Sequence, residues 1–407
     1  MTSATPRARI GIDVGTLVFP AGGVRRYVRE LLNALPEAAQ ATNAPVDFVA
    51  VGTPAGSDLP ASLTKGPGIA NLPTNLARAV VSLPWAVGRA ALDLFHAPAY
   101  TSPLVGTTPV VVTIHDVSYA RRPEFYAHPA GHMRQWFYRR SALRAARIIT
   151  DSVFSQREIT AAYDVPASRI AVVPLGVGAP FTAGGERDPG PDPSTRPNEA
   201  ASLRASGPGL RTEGVRQPYF LHVGDLHPRR NVEMAARAVV EISRGRAAAG
   251  GAPVQLVCAG TDSGSAAAVR AVFNGAGLPG AVCLTGAVSE NELLALYRGA
   301  SAFVYPSRYE GFGLPVLEAM ACGIPVVALR AGSVPEVLGD AGILVDEGDD
   351  RGFIEALTSL LARRDLAVDL AERGAARARA FTWARTARET MAVYLDCLGV
   401  QSGARSR

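Results

Sequence analysis

The segment from Ser307 to Gly323 holds two carboxylates, Glu310 and Glu318, in the spacing Glu-x7-Glu around a glycine-rich turn. An apolar run, Ala302 to Pro306, precedes it and reads as a strand. Pro315 suits a first helical turn, and Gly323 with Pro325 closes the helix. Gly311 and Gly313 permit tight backbone turns that expose N–H groups beside a helix N-terminus, a place that favours an anion. Glu310 then lies before the turn and Glu318 about one turn into the helix. Two carboxylates are thereby expected at different depths of one cleft.

Other segments carry complementary chemistry. Gly224 ends an apolar run and is followed by His227-Pro228-Arg229-Arg230-Asn231, with a helix beginning near Val232. Two adjacent guanidiniums at a strand end, beside a helix N-terminus, suit a diphosphate. Near the start of the chain, Gly15 to Gly23 forms a turn with Gly22 and Gly23 before a helix. Val24, Tyr27, Val28, Leu31, Leu32 and Leu35 recur there at helical spacing. Arg25 and Arg26 add cations, although a tight strand-to-helix turn accounts for the glycines equally well. The loop is neither GxGxxG nor a Walker loop, so a dinucleotide or P-loop reading has no support. His115 ends the apolar run Pro109 to His115 and sits beside Asp116. A neutral imidazole there can exchange hydrogen bonds with a sugar hydroxyl or a phosphate oxygen. His96 ends another run in the same way, and a structural role fits it equally.

These residues need a scaffold that places them at strand ends. Apolar runs read as strands at Arg9 to Gly15, Val46 to Gly52, Asp93 to His96, Pro109 to His115, Arg147 to Asp151 and Ile170 to Pro174. A second series follows at Tyr219 to Gly224, Gln255 to Gly260, Val282 to Gly286, Ala302 to Pro306, Pro325 to Leu329 and Ile343 to Asp346. The runs are rich in Val and Ile and mostly non-alternating, as in strands buried on both faces of a parallel sheet. Helical patterns between them imply an α/β protein of two doubly wound, Rossmann-like domains. Between the series, Thr182 to Gln217 has almost no large apolar residue and reads as a disordered linker.

A chain of 407 residues with 48% hydrophobic and 19% charged residues excludes a mainly disordered protein. No stretch approaches the ~20 apolar residues of a membrane span. The four cysteines, Cys258, Cys283, Cys322 and Cys397, have no metal or redox spacing. No Asp-x-Asp dyad or histidine cluster suggests a metal. A reduced, cytoplasmic protein is expected. The net charge of +5 is uneven: up to Pro180 there are 17 basic and 11 acidic residues, and beyond it 24 and 25.

Taken together, these motifs resemble the family-four retaining glycosyltransferases of the GT-B fold, two Rossmann-like domains facing across a cleft. The resemblance extends to Val24-Arg25-Arg26-Tyr27-Val28, Ile114-His115-Asp116, Asp151-Ser152-Val153-Phe154-Ser155, Val172-Val173-Pro174-Leu175-Gly176-Val177, Pro335-Glu336 and Phe381-Thr382-Trp383. It implies an N-terminal acceptor-side domain over 1–181, the linker at 182–217 and a nucleotide-sugar-binding domain over 218–380. A helix over 381–398 would cross back to the first domain, and 399–407 would form a disordered tail. The implied donor is a nucleotide-diphosphate sugar, with no cofactor and no metal. Arg229 and Arg230 would neutralise its diphosphate with help from Gly22 and Gly23. Glu310 would take donor-sugar hydroxyls, and the backbone of Gly311, Phe312, Gly313 and Leu314 would approach sugar and phosphate. Glu318 would take the ribose hydroxyls, and His115 would face the donor sugar; Glu310, His115 and Arg229 are the expected catalytic residues. The family usually carries Glu-Pro-Arg-Lys-Asn where this chain has His227-Pro228-Arg229-Arg230-Asn231, so Arg230 stands for a phosphate-binding lysine.

The expected reaction is hexosyl transfer, of mannosyl, glucosyl or rhamnosyl type, to a glycan or lipid-linked acceptor with retention of configuration. Its rivals are an epimerase-like GT-B enzyme and a non-catalytic nucleotide-sugar-binding protein. His132 to Arg147 reads as a helix with Arg140, Arg144 and Arg147 along one stripe and Trp136, Phe137 and Tyr138 nearby. That stripe is a candidate for peripheral contact with an anionic membrane. The alternative is a solvated face with its aromatics in the core. Nucleic acid is not an expected partner.

Overall fold

The computed structural model describes residues 7–18, 22–53, 59–69, 78–126, 132–182 and 214–399. Residues 183–213 of the expected linker and 400–407 of the expected tail lie outside the described residues. The chain forms two compact units, one running to Gly176 and resuming at Phe381, the other spanning Val177–Ala380. The boundary thus falls before Phe181, the end of the first domain expected from the sequence. Phe181 packs edge-on against Tyr297 at 5.8 Å, and its carbonyl accepts from the Cys322 thiol at 3.9 Å, contacts that hold it in the second unit.

The first unit contains strands β1 (Ala8–Asp13), β2 (Val46–Val51), β3 (Thr64–Lys65), β4 (Leu94–Ala97), β5 (Val110–Thr113), β6 (Arg147–Thr150) and β7 (Ile170–Val172). They form one parallel sheet in the order β3-β2-β1-β4-β5-β6-β7. Strand β3 was not expected. Its two exposed residues carry no apolar signal, and it exists only because its backbone continues the ladder from Val49 and Ala50. Its Lys65 guards a sheet edge, a place where a charge discourages further pairing.

Helices α1 (Gly23–Ala41), α2 (Leu83–Arg89), α3 (Ser118–Arg121), α4 (His132–Arg144) and α5 (Val153–Tyr163) belong to the first unit. Alternate strand residues divide the sheet into two faces. Phe95, Ala97, Val110, Val112 and Ile148 share a core with Leu83 and Val87 of α2, Ala142 of α4 and Ile159 of α5. The expected arginine stripe on α4 is broken. Arg144 donates to the carbonyls of Pro103 and Gly106, and Arg147 opens β6 and pairs with Asp396 at 2.8 Å. Phe137 is buried, as a core-facing position requires.

The second unit contains β8 (Tyr219–Val223), β9 (Gln255–Ala259), β10 (Val282–Gly286), β11 (Ala302–Tyr305), β12 (Val326–Leu329) and β13 (Ile343–Val345). They too are parallel, in the order β10-β9-β8-β11-β12-β13. Its helices are α6 (Val232–Ala248), α7 (Ala266–Gly275), α8 (Glu290–Gly299), α9 (Leu314–Ala321), α10 (Val334–Leu338), α11 (Asp350–Ala362) and α12 (Arg364–Ala378). The last helix, α13 (Trp383–Cys397), belongs to the first unit and packs along α1. Among the described residues no helix is long and apolar enough to cross a membrane.

Candidate active site

In each sheet the strand order reverses once, between β1 and β4 and between β8 and β11. The loops leaving the carboxyl ends of such neighbouring strands diverge, and the crevice between them is where doubly wound sheets bind ligands. In the second unit those two loops carry the Arg-Arg turn and Glu310.

The loop after β8 closes into a tight turn over Pro228–Arg230, with Asn231 in the left-handed region at φ 51°. His227 caps it: its Nδ1 accepts the backbone N–H of Arg229 at 3.3 Å. An accepting ring nitrogen requires an unprotonated imidazole. Partial burial and the neighbouring Arg229 and Arg230 push the His227 pKa down, in agreement. His227 therefore has a place as a turn cap, which the sequence did not disclose.

Both guanidiniums reach the loop after β11. Arg229 donates through Nη1 to the Tyr309 carbonyl and to Oε1 of Glu310, each at 3.0 Å. Arg230 donates to the same Oε1 and to the Tyr305 hydroxyl, and its guanidinium lies 5.3 Å from the Tyr305 ring centroid. Ser307 adds its hydroxyl to Oε1 at 2.6 Å. Glu310 is only 5% exposed. Burial by itself raises its pKa, but Arg230, Arg229 and Ser307 outweigh it and hold the carboxyl below the ordinary range. The sequence assigned these residues separate tasks; the structure joins them to one another.

The Glu310 backbone is gripped as well. Ser333 donates its N–H and its hydroxyl to the Glu310 carbonyl at 3.1 and 3.0 Å. Gly332, at φ 59°, lies so close that a Cβ there would stand 2.6 Å from that carbonyl oxygen. Only glycine fits a left-handed position with such a neighbour. Past the buried Gly311 and Phe312, Gly313 caps α9 at φ 103°, and Leu314 starts the helix with Pro315 next. Glu318 is buried on α9, 4% exposed, and accepts from the Tyr297 hydroxyl at 2.9 Å.

The first unit holds the remaining expected residues. Gly22 caps α1 at φ 126°, and Gly23 is its first residue. His115 follows β5, and its Nδ1 bonds Asp151 Oδ2 at 2.8 Å while Nε2 bonds the Pro98 carbonyl at 3.2 Å. The Pro98 carbonyl can only accept, so Nε2 donates to it, and the Asp151 carboxyl faces Nδ1. Burial lowers the His115 pKa, but Asp151, Asp116 and the Pro98 carbonyl more than offset it and the net direction is upward. Tyr27 from α1 stands edge-on to the ring at 4.9 Å.

His96 is structural. It is wholly buried, with Nε2 on the Thr113 hydroxyl at 2.8 Å and Nδ1 on the Tyr394 hydroxyl at 2.6 Å, which ties α13 to the sheet. Burial, then the charge on His115, pushes its pKa down to about 3.

Sequence reasoning missed Asp151, Ser307 and Ser333 as partners of the site residues. For Asp151 a signal existed. The β5–β6 register pairs Val111 with Arg147 and Thr113 with Ile149, and continuing it sets His115 opposite Asp151. A titratable residue just past the end of each of two neighbouring strands was readable; their register was not.

Residues 21–179 match the family model described as Glycosyltransferase Family 4, and residues 217–363 match that described as Glycosyl transferases group 1. The chain is 31% identical over 331 residues to the O-antigen chain mannosyltransferase B of Escherichia coli, covering 76% of each protein. It belongs to glycosyltransferase family 4.

The fold of this glycosyltransferase agrees. Sucrose-phosphate synthase from Thermosynechococcus elongatus superimposes with a TM-score of 0.71 at 22% identity, over 97% of this chain and 100% of that one. Anabaena HepE, solved in complex with UDP and glucose, gives 0.67 at 17%, over 96% and 99%. Both are GT-B neighbours, and the enzyme has the two parallel α/β units of that fold. The group 1 match spans Arg229 to Glu318, and the family 4 match spans Gly22 to Asp151.

Proposed function

We propose that this glycosyltransferase moves a hexosyl group from a nucleotide-diphosphate sugar to a glycan or lipid-linked acceptor, with retention and without a metal. The observation that carries the reading is the buried Glu310 carboxylate gripped by Arg229 and Arg230 at the switch point of the second unit. Each guanidinium has five N–H donors in a planar fork. Glu310 engages one nitrogen of each and fixes the forks in place, and two adjacent guanidiniums so held suit the oxygens of a diphosphate. The α9 N-terminus, reached through Gly311 and Gly313, adds backbone amides and a favourable dipole. Glu318 suits the ribose hydroxyls. His115, bonded to Asp151 and the Pro98 carbonyl, is the first unit's candidate for meeting the donor sugar.

In the proposed step the acceptor oxygen bonds to the anomeric carbon on the face the leaving group departs. The bond from that carbon to the phosphate oxygen breaks, and the acceptor proton passes to the departing phosphate. Charge grows on the diphosphate, and preorganised guanidiniums and helix amides are what stabilise it. The mannosyltransferase named above supports the class of acceptor, and the UDP and glucose in the HepE complex support the class of donor.

The test is a thermal-shift series with UDP, GDP, dTDP and ADP sugars, followed by transfer assays read by NMR. A donor at 100 times its dissociation constant should add roughly 2.7 kcal/mol of stability. The product should keep the donor's anomeric configuration. No shift with any nucleotide sugar would defeat the reading, and donor turnover without an acceptor would point to the epimerase-like alternative.

A further inference from the structure

Large apolar side chains left exposed are unevenly distributed among the described residues. Val81, Trp85, Met133 and Trp136 all lie in the first unit, and in the second only Val368 stands out. Trp85 is 58% exposed on α2, and Trp136 is 48% exposed on α4. Both helices turn their inner residues into one core, Leu83 and Val87 from α2 and Ala142 from α4, over the same face of the sheet. The two tryptophans therefore project outward from one side of the first unit.

Each tryptophan carries an arginine. The Arg89 guanidinium lies 5.5 Å from the Trp85 ring centroid, and that of Arg140 lies 5.8 Å from Trp136. Arg134 and Arg139 are exposed on α4 as well. Neither α2 nor α4 contains an acidic residue. The face thus combines indoles, a methionine and unopposed cations on two helices.

We propose that this face docks on an anionic lipid bilayer, with Trp85 and Trp136 at the headgroup level and Arg89, Arg134, Arg139 and Arg140 on lipid phosphates. Indole rings favour that depth, where one end is apolar and the other wet. Arginine beside a bilayer gains from the negative surface potential by roughly fivefold in partitioning per residue. A soluble anionic partner would use the cations but give the exposed indoles and Met133 no apolar phase to enter. The inference is independent of the sugar chemistry above. It also revises the stripe suggested by the sequence: Arg140 is kept, Arg144 and Arg147 are engaged within the fold, and Arg89, Arg134 and Arg139 join the face.

The experiment uses the full chain and vesicles of phosphatidylcholine, alone or mixed with phosphatidylglycerol. Flotation should show binding to the mixed vesicles at low salt, weakened by salt, and little to phosphatidylcholine alone. Tryptophan emission should move to the blue on binding. The chain has three tryptophans, and the third, Trp383, is 8% exposed, so the shift must come from Trp85 and Trp136. Trp85→Ser with Trp136→Ser, and separately Arg89, Arg134, Arg139 and Arg140 each to Ser, should lower partitioning more than tenfold at unchanged melting temperature. Donor-induced thermal shifts should survive in both variants, so a failure here is separable from a failure of the transferase reading. Absence of binding to the mixed vesicles at low salt would overturn the proposal, and so would undiminished binding by the folded variants. Equal binding to heparin, without an emission shift on vesicles, would show a soluble polyanion site instead.

Discussion

The two charged clusters sit on sheets of the same reversing strand order and differ in place and in charge. The Glu310 cluster lies past β8 and β11, where the strand order reverses, whereas the His115 cluster lies past β5 and β6, away from the reversal between β1 and β4. In the second unit one carboxylate, Glu310, is held by two guanidiniums, so the cluster is net positive. In the first unit His115 faces one carboxyl, Asp151, with Asp116 beside it, so that cluster lacks the paired guanidiniums of the second. Strand ends supply the places, and the loop residues select the sign. Under the proposed function the anionic half of the donor belongs with the positive cluster.

The sharpest way to break this comparison is Glu310→Gln. The isostere keeps the Ser307 contact but removes the charge that orients both arginines. Turnover should fall roughly 10²- to 10³-fold, the scale seen when one preorganised electrostatic contact is lost. Donor affinity, read by calorimetry, should change only several-fold. Unchanged turnover would remove the second switch point from the chemistry.

Arg230→Ala should come next. Removing one partner of a buried ion pair costs roughly 3–5 kcal/mol, and with Arg229 remaining the lower end is expected. Denaturant unfolding at neutral pH measures it, and the double variant with Glu310→Gln should cost less than the two added together. The pH sign follows from the lowered Glu310 pKa. Its stabilising contribution is present above the ordinary value of 4.5 and is lost as pH falls through the folded value. The penalty of Arg230→Ala should therefore shrink in acid.

The His115–Asp151 pair should answer in the opposite direction. The His115 pKa is raised, so its contribution is full below the ordinary value of 6.5 and is lost as pH rises through the folded value. Asp151→Asn should cost about 1–2 kcal/mol near pH 6, and the wild-type and variant melting temperatures should converge as the solution becomes alkaline. A gap that widened with pH would contradict the raised His115 pKa.

The smallest effect is expected from Ser333→Ala. It removes one of two hydrogen bonds to the Glu310 carbonyl while the backbone N–H stays. A loss of about 1 kcal/mol in stability and a few-fold loss in turnover, with donor affinity unchanged, would show that the clamp positions Glu310. Equal loss of donor affinity would make Ser333 part of the binding surface instead.

Much of this was determined by the sequence alone. Val- and Ile-rich runs separated by helical patterns are a local property, and strands β1, β2 and β4 to β13 each fall on a run readable in that way. The Glu310 to Glu318 spacing and the Arg229-Arg230 pair are likewise local. So is the amphipathic face of α1, whose Tyr27, Val28, Leu31, Leu32 and Leu35 are all buried. What only the tertiary structure decided involves partners distant in the chain. The sheet register brings Asp151 to His115 and so raises its pKa. The return of the loops around β11 and β12 sets Gly332 and Ser333 against Glu310. The docking of α13 gives His96 its Tyr394 partner, and packing consumes Arg144 and Arg147 while leaving Trp85 and Trp136 outside. Side-chain type is written residue by residue, but protonation, burial and exposure depend on neighbours that the chain order does not name.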